Sequence, residues 1–328
     1  MYQINDIVNT IIQGDALDVL KQIPDNSIDC VVTSPPYWSL RDYEIKGQLG
    51  QEKTFQEYIE KLIIVFIEVK RILKPTGTCF VNIGDTYISK GATRHKGYVD
   101  PKYPNGRVGG DCEPSGLKQT IESKNLANIP ARFSIAMQDI GFILRNKIIW
   151  HKPNVTPSPV KDRFTVDFEE IFFFTKNQRY YFEQQFERFS KSSLSRVKYG
   201  ISKNNKIMSN NYSMNHESVN NLFTNIQNGE IKGRNKRCVW TIANKPFHGA
   251  HFAVFPPDLV EIPIKAGCPN NGVVLDPFMG SGTTAVVAKK LGRNYIGIEL
   301  NPKYIEIANK RINETKIVDD LFAASQNI

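Results

Sequence analysis

Taken only as apolar and polar positions, the chain alternates between two patterns. Short, nearly continuous apolar runs bounded by turn residues predict strands at Ile28–Val32, Thr78–Ile83, Ile143–Trp150, Glu170–Thr175, Gly272–Asp276 and Tyr295–Glu299. Apolar residues at helical spacing predict helices at Phe55–Leu73, Thr284–Leu291 and Pro302–Ile312. Gly292 closes the second of these in the position where a left-handed residue is favoured, and Asn301 with Pro302 opens the third as cap and first helical residue. Strands alternating with helices predict an α/β fold. Two stretches interrupt the alternation: Ser89–Lys124, rich in Gly, Pro and Lys, and a polar stretch from Phe186 to Arg237. No internal repeat is visible.

Composition supports this picture and adds an address. With 328 residues, 41% apolar and 11% aromatic, the chain can bury a sizeable core. It has no run of about 18 apolar residues and no secretory leader pattern, so a soluble, cytoplasmic protein is expected. The five cysteines (Cys30, Cys79, Cys112, Cys238, Cys268) form no C-x-x-C pair and suit reduced thiols better than a disulfide framework. The net charge of +9 is concentrated: ten basic residues against three acidic ones between Phe186 and Arg237 supply +7 of it. That stretch also holds ten asparagines. It reads either as a solvated insertion or as a surface for phosphates and base edges.

The segment "VVLDPFMGSGTTAVVAKKLGRNYIGIEL", Val273 to Leu300, sets a strand, a glycine turn (Gly280, Gly282), a helix, a second strand and an acid in register. The acid is Glu299, 19 residues after Gly280. Glycines let the backbone approach a nucleoside, a helix N-terminus lies beside it, and an acid at the next strand end accepts from ribose hydroxyls. A phosphate-binding loop would need a lysine after its second glycine, and Gly282 is followed by threonine, which excludes that triphosphatase pattern. A nicotinamide oxidoreductase shares the spacing and stays open here.

The stretch "TSPPYW", Thr33 to Trp38, separates the two. Together with "DPFMGSGTT" it resembles the S-adenosylmethionine-dependent DNA amino-methyltransferases in which the catalytic motif precedes the cofactor motif. Their tetrapeptide is [DNS]-P-P-[YFW], matched here by Ser34, Pro35, Pro36 and Tyr37; a serine in first place accompanies methylation of cytosine N4, an aspartate that of adenine N6. "GDALDVLKQIPDNSIDCVVTSPPY", "RILKPTGTCFVNIGD", "GFILRNKIIWHKPN", "HFAVFPPDLV" and "IGIEL" are similar to further family landmarks, so the resemblance covers most of the chain. In "VDFEEIFFFTK" Phe168 stands where many relatives have histidine, and this segment is expected to be structural only.

The resemblance implies a Rossmann-like methyltransferase fold: a mixed, mostly parallel seven-stranded sheet flanked by helices, with circularly permuted motif order and an inserted target-recognition region. It implies a catalytic domain from 1–185 and 238–328, a target-recognition insert at 186–237, and a loop at 89–124 that contacts DNA. The implied cofactor is S-adenosylmethionine, held by Asp15, Asp276, Phe278, Gly280, Ser281, Gly282, Thr283 and Glu299. Double-stranded DNA is the implied partner, met by Arg188, Lys191, Arg196, Lys198, Arg234, Lys236 and Arg237. A restriction endonuclease acting on the same site is a candidate partner by resemblance alone, and no membrane is implied.

Residue chemistry points the same way. An exocyclic amine is a poor nucleophile because its lone pair is delocalised into the base, and acceptors on both N–H groups draw it toward tetrahedral geometry. Ser34 Oγ and the Pro35 carbonyl are the expected acceptors, on a backbone whose φ angles the prolines preset. Tyr37 is expected to stack on the extruded base, offsetting part of the cost of unstacking it. Plain readings remain for each piece: a rigid strand end for Pro35-Pro36, core packing for Tyr37, Trp38 and Phe278, a turn for Asp15, a cap for Asp276. His248 and His251 lack companion ligands and suggest no metal, and Trp150 and Lys152 stay outside the expected site. Three classes are therefore in play: a methyltransferase on cytosine N4 or adenine N6, an oxidoreductase, and a non-catalytic DNA-binding protein.

Overall fold

Apolar runs with no polar alternation need cover on both faces, and the sheet they form has it. The structure is a computed structural model and describes residues 1–40, 45, 47–88, 121–189, 224–225, 228, 233–244 and 255–317. The chain divides into two compact units: Met1–Glu183 with Cys238–Ile328, and Gln184–Arg237.

In the larger unit the strands are β1 (Thr10–Gln13), β2 (Ile28–Thr33), β3 (Leu73–Ile83), β4 (Ile143–His151), β5 (Phe168–Thr175), β8 (Val239–Thr241), β9 (Val273–Asp276) and β10 (Asn294–Glu299). They form one sheet in the order β1-β10-β9-β2-β3-β5-β4-β8. All neighbours are parallel except β5, which runs antiparallel to both β3 and β4. The sheet thus has the expected mixed, mostly parallel character, with an eighth strand, β8, beyond the seven expected. Three residues carry too little periodicity to announce themselves as a strand. They are held by pairing with Ile149–His151.

Successive strand residues point to opposite faces, and two cores follow from this. Val31, Cys79, Val81, Phe172 and Phe174 pack on one face with helices α2 (Ala16–Leu20), α3 (Phe55–Ile72) and α4 (Ile129–Asp139). Cys30, Val32, Phe80, Ile171 and Phe173 pack on the other with α5 (Pro257–Gly267), α6 (Thr283–Lys290) and α7 (Pro302–Glu314). A four-residue helix, α1 (Ile4–Ile7), precedes β1. Helix α3 starts where Thr54 accepts from the Glu57 amide at 3.1 Å, and it buries Tyr58, Leu62, Phe66 and Val69 on one stripe. At the start of β3 the ladder jumps from Ile28 opposite Leu73 to Cys30 opposite Thr78, leaving "KPTG" as a bulge at its proline and glycine.

The smaller unit, by itself, shows a two-stranded antiparallel ladder, β6 (Phe186–Glu187) with β7 (Arg234–Asn235). It begins at Gln184, two residues before the stretch marked by composition, because Gln185 also takes a backbone hydrogen bond from Lys236. Most of the loop at 89–124 lies outside the described residues; its flanks meet in a bridge between Tyr87 and Leu126. Among the described residues, no helix is long and apolar enough to cross a membrane.

Because β5 is reversed, the site edge of the sheet is made of the carboxyl ends of β1, β2, β3, β4, β9 and β10 together with the amino end of β5. Open α/β sheets bind ligands at this edge, where the strand order reverses.

Candidate active site

Each parallel strand ends by releasing its chain into a turn, and these turns line one cavity of about 520 Å³. From β1 come Gly14 and Asp15; from β2, Ser34, Pro35, Pro36 and Tyr37; from β9, Pro277, Phe278, Met279, Gly280 and Ser281; from β10, Glu299, Leu300 and Asn301. Thr283 and Tyr304 join from the first turns of α6 and α7.

The glycine turn is built for close approach. Gly280 and Gly282 both have positive φ, +52° and +82°, which a side chain adopts at a cost. The Glu299 carboxylate holds the turn: Oε2 accepts from the Gly280 amide at 2.7 Å and Oε1 from the Asn301 amide at 2.7 Å. Burial raises its pKa above the usual carboxylate range, against these amide bonds. Asp276 is fully enclosed. Its Oδ1 accepts from the Thr33 hydroxyl at 2.6 Å and the Phe278 amide at 3.0 Å, and its Oδ2 from the Thr284 hydroxyl at 2.7 Å. Burial pushes it up to about 6 in spite of those donors. Asp15 caps α2, accepting from the Leu17 amide at 2.9 Å, and so is both turn residue and cavity wall. Ser281 and Thr283 hydroxyls are met by Arg311 at 2.9 and 3.2 Å.

In the "TSPPYW" turn the two aromatics part company. Trp38 is core: buried, edge-on to Phe55, with Nε1 donating to the Glu52 carbonyl at 2.9 Å. Tyr58 donates its hydroxyl to the Pro36 carbonyl at 2.9 Å, fixing the second proline. Tyr37 lines the cavity, its ring so close over Gly84 that an added Cβ there would lie 2.5 Å from Cε2.

The segment around Phe168, expected to be structural only, reaches the cavity. Phe168 itself is exposed, but Glu169 lies at the amino end of the reversed strand and enters the site beside Tyr37. The Tyr37 hydroxyl donates to Glu169 Oε2 at 2.7 Å; Asn82 Nδ2 donates to the same carboxylate oxygen at 2.8 Å and to the Tyr37 oxygen at 2.7 Å. Lys152 forms an ion pair with Glu169 Oε1 and lies 4.2 Å from the centre of the Trp150 ring. Burial first, then the charge of Glu169, holds the Tyr37 phenol well above its usual pKa, so it remains a donor. Trp150 and Lys152, set aside on sequence, therefore belong to the cavity wall, and Asn82 and Glu169 join it unannounced.

Of the basic residues assigned to DNA, Arg188, Arg234, Lys236 and Arg237 lie in the described part of the smaller unit, and Lys191, Arg196 and Lys198 lie outside the described residues. Glu187 Oε1 stands 2.8 Å from Arg234 Nε and 2.7 Å from Arg237 Nε. His248 and His251 also lie outside the described residues.

Residues 28–310 match the family described as DNA methylase. The chain belongs to this family. The methylase is 39% identical over 307 residues to the Type II methyltransferase M.XycI of Xanthomonas campestris pv. cyanopsidis, covering 93% of this chain and 87% of that protein. It is 37% identical over 308 residues to M.SmaI of Serratia marcescens, covering 92% and 90%. In fold it resembles the PvuII DNA methyltransferase, titled cytosine-N4-specific, with TM-score 0.61 and 21% identity over 96% of this chain and 89% of that one. A DNA modification methylase of Thermus thermophilus, solved in complex with S-adenosyl-L-methionine, gives 0.57 and 24% over 94% of each. The oxidoreductase and the non-catalytic DNA-binding protein give way to a DNA-methylating enzyme with the Rossmann-like fold.

Proposed function

We propose that this methylase modifies the exocyclic N4 amine of a cytosine turned out of duplex DNA. S-adenosylmethionine is the methyl donor, and it supplies a sulfonium-bound methyl group open to in-line attack. The cavity fits it: a carboxylate at a strand end, an apolar wall from Phe278, Met279 and Ile298, and Gly280, where an added Cβ would meet nothing closer than the Phe278 oxygen at 4.0 Å. Asp15, Asp276, Phe278, Gly280, Ser281, Gly282, Thr283 and Glu299 would hold it, Asp276 by shaping the turn from behind.

The observation that carries the reading is that Ser34 and Tyr37 line the same cavity as Gly280 and Glu299. Ser34 Oγ and the Pro35 carbonyl accept from the two N–H groups of the amine and aim its lone pair across the cavity. Tyr37 gives the base a wall to stack on. The protein's contribution is position and preset polarity, with no base needed before attack. The serine of the tetrapeptide supports cytosine over adenine, whose N6 amine has the same chemistry.

The compact unit at Gln184–Arg237, with the loop at 89–124, is the target-recognition surface in this reading, and Arg188, Lys191, Arg196, Lys198, Arg234, Lys236 and Arg237 are its cationic contacts. The relatives' Type II designation supports a cytoplasmic restriction-modification setting, with a cognate endonuclease cutting the same site.

The test is nucleoside mass spectrometry of unmethylated plasmid DNA incubated with the protein and isotopically labelled S-adenosylmethionine. Label in N4-methylcytosine is expected. Label in N6-methyladenine would replace cytosine by adenine and leave the rest, and Ser34→Ala is expected to lower turnover far more than cofactor affinity.

A further inference from the structure

Ser34 helps only if its oxygen offers lone pairs to the amine while its proton points elsewhere. A hydroxyl has one proton and two acceptor sites, and its rotor follows its neighbours. The structure supplies a neighbour that decides the matter. Ser34 Oγ lies 3.4 Å from the Tyr37 hydroxyl oxygen, within donating distance. Tyr37 in turn lies 2.7 Å from Glu169 Oε2.

The direction of this chain is fixed from its far end. A carboxylate only accepts, so the Tyr37 proton goes to Glu169. Asn82 enforces the same direction: its Nδ2 donates both to Glu169 Oε2 and to the Tyr37 oxygen, so that oxygen cannot send its proton toward Asn82. The Asn82 amide is itself oriented, because only its NH₂ end can face a carboxylate. Lys152 occupies the other carboxylate oxygen, Glu169 Oε1, and completes the charge balance at a residue only 18% exposed. The Tyr37 oxygen is then left with an acceptor site toward Ser34.

We infer that Glu169 is a positioning residue for methyl transfer: acting through Tyr37, it orients the Ser34 hydroxyl as a hydrogen-bond acceptor for the target amine. Nothing in the local sequence announces this role, since Glu169 lies 132 residues from Tyr37 and on the one reversed strand of the sheet. Once the N–C bond has formed and the S–C bond has broken, the amine nitrogen carries a positive charge and a proton to lose. The same chain conducts it: the nitrogen's proton passes to Ser34 Oγ, the Ser34 proton to Tyr37, and the Tyr37 proton to Glu169, with solvent as its final sink. No oxidant or co-reactant is involved.

The inference rests on Ser34 acting on an amine, and its test separates the two ideas. Single-turnover methylation of duplex DNA and S-adenosylmethionine affinity are measured for wild type, Tyr37→Phe, Glu169→Gln and the double variant. Each single change is expected to lower the single-turnover rate about 10- to 100-fold, with cofactor affinity within about twofold of wild type. The double variant is expected to be no slower than Tyr37→Phe, because Glu169 acts through the hydroxyl already removed. Additive losses, or a Tyr37→Phe enzyme at the wild-type rate, would overturn the inference, and the latter result holds even if Glu169→Gln does not fold. A wild-type enzyme that labels adenine would correct the substrate and leave this chain intact; one that labels no base under any condition would remove the functional reading itself.

Discussion

Thr33 and Asp276, 243 residues apart, share a 2.6 Å hydrogen bond inside the seam between β2 and β9. Each stands one step before a motif: Thr33 before Ser34, Asp276 before the Pro277-Phe278 turn. A buried, charge-assisted bond therefore sets the distance between the two halves of the cavity. Thr33→Val keeps the shape and removes the donor. It is expected to cost about 1.5–3 kcal/mol of stability in urea unfolding and to slow methylation. A variant as stable as wild type would show that the two strand ends are positioned by the ladder alone.

Asp276 also makes a prediction in pH. Its pKa is pushed up to about 6 by burial, from an ordinary value of 3.8. Between these values the native state binds more protons than the unfolded chain, so this residue's contribution to stability falls as pH rises through the window and is constant above it. The size is about 3 kcal/mol. The stability difference between wild type and Asp276→Asn should therefore shift in favour of wild type as pH is lowered from about 7 to about 4.5. Urea unfolding of both proteins across that range checks it; a difference independent of pH would mean that Asp276 titrates normally.

The two glycines of the turn are expected to fail in different ways. A Cβ on Gly282 would lie 2.6 Å from Ala308 Cβ and 3.0 Å from its Cα, which is helix α7 and cannot step aside. Gly282→Ala should lose roughly 2–4 kcal/mol in folding. Gly280 has open space instead, and that space belongs to the cavity. Gly280→Ala should cost only about 1 kcal/mol while weakening S-adenosylmethionine about tenfold, equivalent to roughly 1.4 kcal/mol of binding. Calorimetric titration with the cofactor, beside thermal unfolding, separates the two; equal losses of stability would refute the division.

These residues show what could be read beforehand. Ser34, Gly280 and Glu299 belong to local patterns, each a strand with its following turn, and local patterns survive in sequence. The strands from Ile28 to Glu299 were legible for the same reason, to within a residue or two at most ends. Helices α4 and α5 were not, because Pro130, Pro257 and Pro263 interrupt the helical pattern with residues that usually end it. Glu169 and Lys152 were missed for a topological reason. "EEIFFFT" reads as a buried strand in either direction, and only the reversal of β5 carries its first residues to the edge where every parallel strand ends. Direction of pairing leaves no mark in the composition of a strand buried on both faces.

In the smaller unit, Glu187 tests the electrostatic role proposed for it. Its Oε1 is shared by Arg234 and Arg237, at 2.8 and 2.7 Å, so one carboxylate occupies two of the cations assigned to phosphates. Both guanidiniums must turn from Glu187 to meet DNA, or meet it with part of their charge already answered. Glu187→Gln removes that competition. Non-specific duplex binding is expected to tighten at low salt, and the plot of log affinity against log salt to steepen by about 0.9, the increment for one further phosphate contact. Lys236→Ala should move the same slope the other way by about 0.9. Fluorescence anisotropy of a labelled duplex over a salt series measures both. If Glu187→Gln instead weakens binding with an unchanged slope, the carboxylate is holding the arginines in the geometry that binds, and their role is directional rather than a matter of net charge.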